Sequence, residues 1–126
     1  MPRPLALWSG ALLVLVAAHD VTHLADEGLD TSPGELALVA VPQWLALAAV
    51  MAVIVRADHA RARLAAMLLG VAVATGFALV HLVPGALAPY WDLRPSAVSW
   101  LLAWVPAAGG LALAALAWPG REPLRG

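Results

Sequence analysis

Four apolar stretches, each close to the length of a bilayer crossing, occupy nearly all of this 126-residue chain. They run over residues 5–25, 36–55, 64–83 and 97–118. A spanning helix needs about 20 consecutive apolar residues, so each stretch suffices with little to spare. Composition agrees: 63% of residues are hydrophobic and 12% charged, and the mean hydropathy is +0.85. A soluble domain is nearer half apolar and a quarter charged. The expected architecture is all-α: one integral membrane domain, an up-down-up-down four-helix bundle whose short connections make sequential helices antiparallel.

Boundary chemistry supports these limits. Gly28 after Glu27 reads as a helix C-terminal glycine. Ser32-Pro33-Gly34-Glu35 reads as a capping box with proline in the first turn. Asp58 and Ser96 are caps for the third and fourth helices. Pro84-Gly85 and Pro119-Gly120 are stops. The first stretch is instructive, because its purely apolar part, Leu5 to Ala18, is too short to cross alone. The helix has to continue through His19, Asp20 and His23. Arg3, this short run and Val16-Ala17-Ala18 also imitate a signal peptide cleaved after residue 18, an alternative that the three following spans argue against.

The cations set the orientation. All seven are arginines, and Arg3, Arg56, Arg61, Arg63, Arg121 and Arg125 fall on the side carrying both termini, against Arg94 on the other. The positive-inside rule then places the N- and C-termini in the cytoplasm of a plasma-membrane protein. Tryptophans and Tyr90 near the ends read as aromatic belts. The absence of cysteine excludes disulfides and thiolate metal sites. Nothing resembles a nucleic-acid surface, so the partners expected are the bilayer and either a second membrane protein or further copies of the chain.

One constellation carries chemistry. His19 and His23 stand one helical turn apart, the spacing that lets two imidazoles share a metal ion, and Asp26 falls on the same stripe with Asp20 at its flank. The third span runs in the same direction as the first, which brings His81 into the same outer layer; His19 lies about 8 Å deep and the other two about 3 Å. His59 is on the opposite side. Carboxylates at the C-terminal, partially negative end of a helix call for a nearby cation. Candidate ligands are therefore His19, His23, His81, Asp20 and Asp26, for a divalent transition metal, zinc or iron. Pro42 and Pro106 free the carbonyls of Leu38 and Leu102, Gln43 adds an amide at this depth, and Trp104 is placed to roof the site.

Three other readings fit the same residues. The polar end can simply touch headgroups and water, or form a structural hydrogen-bond cluster. The chain can be a metal-free accessory subunit of a larger membrane complex, with no activity of its own. Less directly, His23 and His81 can be axial ligands for b-type haem, or serve quinone chemistry. Hydrolase chemistry is disfavoured: there is no serine nucleophile motif, and Asp20 stands where zinc proteases carry glutamate. The His-Asp-x-x-His helix end, the four spans and the His-Leu-Val-Pro end of the third resemble small four-span membrane proteins of actinobacteria. That resemblance implies an architecture and no mechanism.

Overall fold

The computed structural model describes residues 3–84 and 90–120. These fold into four helices, and no strand occurs among them: α1 (Arg3–Ala25), α2 (Pro33–Arg56), α3 (His59–Phe77) and α4 (Ala97–Ala117). All four are long and apolar enough to cross a membrane, α3 when continued through Leu82. Gly85, Arg121, Glu122 and Arg125 lie outside the described residues.

Local chemistry sets the helix starts as expected. Ser32 Oγ accepts from Glu35 N while the Glu35 carboxylate accepts from Ser32 N, the reciprocal capping box. Asp58 and Ser96 accept from Arg61 N and Ser99 N. α2 and α4 both run through their internal prolines, Pro42 and Pro106. The ends hold two surprises. α1 stops at Ala25, and Asp26 caps a separate 3₁₀ turn, Glu27–Leu29. Gly28 is thus inside that turn and does not terminate α1. Its small size is required there, since a Cβ would lie 2.1 Å from the carbonyl oxygen of Arg94. The last turn of the third span, Ala78–Leu82, is π-helical. Such widened turns inside α-helices are frequent at functional sites.

Packing is uneven. In lipid no hydrophobic force holds helices together, so close van der Waals approach through small residues matters most. α3 and α4 achieve it: Ala62, Ala66, Gly70 and Ala74 face Ala103, Ala107, Gly110 and Ala114, all buried. At the crossing, a Cβ on Gly70 would meet the Gly110 oxygen at 2.4 Å, and one on Gly110 the Gly70 oxygen at 2.5 Å. Arg63, at the start of α3, donates to the carbonyls of Ala117 and Trp118 at the end of α4. α2 differs. Ile54, near the turn into α3, is its one buried residue, whereas Leu38 is 80% and Leu45 69% exposed. α2 is therefore the most exposed of the four helices and packs on the others through half-buried residues such as Trp44, Leu47 and Met51.

Candidate metal centre

α1 delivers two histidines on one face, and the π-helical turn delivers the third. His19 and His81 are buried and His23 is half-buried. His19 Nε2 lies 3.2 Å from His81 Nε2 and 3.1 Å from His23 Nε2. One nitrogen from each ring falls within 4.8 Å of the others, so these three residues form a group able to hold a metal ion. Nitrogens sharing a tetrahedral zinc at about 2.0 Å are themselves about 3.3 Å apart, close to both short separations.

Protons decide what this trio can do. The Thr31 hydroxyl donates to the Leu29 carbonyl, so its oxygen is left to accept from His23 Nδ1 at 3.2 Å. That places the His23 proton on Nδ1 and turns the Nε2 lone pair inward. His19 Nε2 touches two ring nitrogens yet carries either one proton or one lone pair. A single proton serves one contact well and leaves the other pair of nitrogens opposed. A cation satisfies every inward lone pair at once.

The outer support has the form common to histidine metal sites, where the second ring nitrogen is held by a carbonyl, hydroxyl or carboxylate. Thr31 fills this role for His23. The carbonyl of Leu102, one turn before Pro106, lies beside the His19 ring, although His19 Nδ1 completes no hydrogen bond of good geometry. The rings are wedged by aromatics: Phe77 packs against His19 with centroids 4.5 Å apart, and Tyr90 against His81 at 4.4 Å. Tyr90 is fully buried, not a member of an interfacial belt. Its hydroxyl faces Thr22 without completing a hydrogen bond, and burial pushes its pKa up to about 12, so it stays neutral. Tyr90 N donates to the His81 carbonyl and Trp91 Nε1 to that of Leu82, which pins the widened turn.

The two aspartates are engaged elsewhere. Asp20 Oδ2 accepts from Trp44 Nε1 at 2.7 Å and Gln43 Nε2 at 3.3 Å, both on α2. Asp26 Oδ2 accepts from Ser99 Oγ at 2.5 Å and Ser96 N at 2.7 Å, while Oδ1 accepts from Gly28 N. Asp26 thus sits on the positive N-terminal end of α4, and those hydrogen bonds, Ser99 first, hold its pKa down at about 2. The electrostatic conflict expected at the end of α1 is resolved by α4, with no cation needed for Asp26. Trp104 does not roof the site; it is 51% exposed.

Beside the histidines lies a cavity of about 460 Å³ between α1, α2 and α3. His19, Asp20, His23 and His81 line one end of it, and the rest is mostly apolar. Thr31, Phe77 and Tyr90 were not singled out from the sequence as parts of the site. No family model, curated protein or solved structure matches the chain, so its site is read from its own residues.

Proposed function

We propose that this chain is a multi-pass plasma-membrane protein, an up-down-up-down bundle with both termini cytoplasmic, that holds one divalent transition-metal ion, zinc or iron, on His19, His23 and His81. The observation that carries this reading is the double contact of His19 Nε2, at 3.1 and 3.2 Å, with two further imidazole nitrogens. Three neutral nitrogens suit either metal, and three protein ligands leave one position open for water or a substrate oxygen. The carboxylate of Asp20 balances charge from beyond the ligands. The topology has support in the contacts between ends: Asp26 after α1 meets Ser96 before α4, and Arg63 near the start of α3 meets the end of α4.

The haem alternative loses ground to geometry. The His23 and His81 rings are 5.4 Å apart with His19 packed against both, which leaves no slot for a porphyrin between them. The accessory-subunit alternative predicts a metal-free protein.

Elemental analysis of purified protein, followed by zinc titration after chelation, separates these. About one ion per chain is expected, lost in His19→Ala. Thr31→Val keeps the ion and weakens affinity by about 10- to 100-fold, the usual effect of removing an outer-shell partner. Metal content that ignores His19→Ala would sink the reading.

A further inference from the structure

The cavity beside the histidines has the shape of a cleft. α1 supplies its floor through Val16, His19 and His23, while the outer halves of α2 and α3 supply its walls. α2 is buried only at Ile54, near the turn, and its outer half meets α1 through the hydrogen bonds that Gln43 and Trp44 donate to Asp20. Val39 and Ala72 line the cleft and are nevertheless exposed, so its long side opens away from α1. In a bilayer that side faces acyl chains. The α2 wall extends from Glu35 to Leu47, about 18 Å at the helical rise, close to the depth of one leaflet of a hydrocarbon core about 30 Å thick. The volume, about 460 Å³, falls in the range of small-molecule sites.

We propose that this cleft is a binding site for a long-chain amphiphile with an uncharged, hydroxyl-bearing head, which enters sideways from the outer leaflet. Its tail lies between α2 and α3 and its head meets the histidine centre. The polarity is at one end, where the imidazoles and Asp20 stand, and no arginine lines the cleft among the described residues. The two carboxylates that line the cleft, Asp20 and Glu35, offset the charge of a divalent ion, so an anionic head would leave uncompensated negative charge at the site. A neutral hydroxyl can donate to Asp20 and offer its oxygen to the open metal position. The inference rests on the metal reading only for what meets the head.

Gly76 provides a clean obstruction. It lines the cleft, and a Cβ there would have nothing within 4 Å. The test uses full-length protein in phosphatidylcholine nanodiscs with hexadecanol carrying a mid-chain diazirine, and the matching palmitate as comparator. After irradiation, adducts are mapped by peptide mass spectrometry, and zinc content is measured on the same samples. Adducts concentrated on Val39, Ala72 and Gly76, stronger for the alcohol than for the carboxylate and lost in Gly76→Phe with zinc retained, are the expected result. Ala72→Phe, on the same wall, serves where Gly76→Phe does not fold. Adducts spread evenly over lipid-facing positions such as Leu38 and Leu111, or unchanged by both substitutions, would overturn the cleft site, and retained zinc would leave the metal reading standing. Equal labelling by alcohol and palmitate would overturn the neutral head. Concentrated alcohol adducts on a chain without zinc would support the cleft and sink the metal reading.

Discussion

Gly70 and Gly76 lie less than two turns apart on α3 and do opposite things. Gly70 is pressed against the backbone of Gly110, where an added Cβ would come within 2.4 Å of a carbonyl oxygen. Gly76 borders open space. One helix therefore carries both a closed seam with α4 and an open cleft with α2. The seam is built from small residues and backbone contact; beside the cleft, α2 is joined to α1 by side-chain hydrogen bonds that Gln43 and Trp44 donate to Asp20. The lesson is that rigidity and access are divided between helix pairs. α3 and α4 form a close-packed frame behind the turn that carries His81, and α2 supplies a wall that contributes none of the three imidazoles.

The largest expected effect tests that division directly. Gly70→Ala has to push two backbones apart, and overpacking of this kind costs about 3 kcal/mol, at the high end of the usual range because the obstacle is main chain. Gly76→Ala meets nothing and gains helix propensity, so it should be neutral or stabilising by up to about 1 kcal/mol. Unfolding in mixed micelles gives both numbers. Equal losses at the two positions would break the distinction between seam and cleft.

A smaller effect is expected at the latch. Trp44→Phe keeps an aromatic ring, though a smaller one, and deletes the N–H that reaches Asp20 at 2.7 Å, leaving Gln43 as the remaining donor. Interhelical hydrogen bonds in membranes are worth about 1 kcal/mol, so the bundle should survive with a modest loss. The wall should respond more than the stability does. Spin labels at positions 39 and 72, on opposite walls, should show a broader distance distribution in Trp44→Phe, with zinc content unchanged. An unaltered distribution would mean that α2 is held by something other than this latch.

How much of this was legible in the sequence follows from the range of the interactions involved. The four long apolar helices and the caps at Ser32, Asp58 and Ser96 depend on residues a few positions apart, and they appear where the pattern put them. The convergence of His19, His23 and His81 followed from helical spacing and a depth count. What the pattern could not show needed partners distant along the chain. Thr31 reaches back over a turn to orient His23. Tyr90, which follows the third span, folds inward beneath Trp100 instead of facing headgroups. Asp26, placed among the ligands by its helical stripe, belongs to α4. Phe77 and the π-helical turn have no periodic signature at all.

The smallest predicted effect concerns that last pairing and asks whether frame and site come apart in acid. The Asp26 carboxyl is held at about 2, below its ordinary 3.8, chiefly by Ser99 Oγ and then by Ser96. A folded-state pKa that is depressed contributes stability above the unfolded pKa and loses it as pH falls toward the folded one. The clamp between the end of α1 and the start of α4 should therefore be intact above about pH 4 and weaken progressively toward pH 2. Metal binding rests on other groups, three imidazoles carried by α1 and the π-helical turn. In an acid titration, amide protection in the first turn of α4 should therefore fall over that window on a curve of its own, separate from that of the ion. Ser99→Ala removes the strongest of the hydrogen bonds, so the onset of exchange should move up toward pH 4 with the metal-release curve unmoved. If ion and protection disappear together, and Ser99→Ala shifts both, the α4 frame and the histidine centre form a single cooperative unit and the division of labour between helix pairs is wrong.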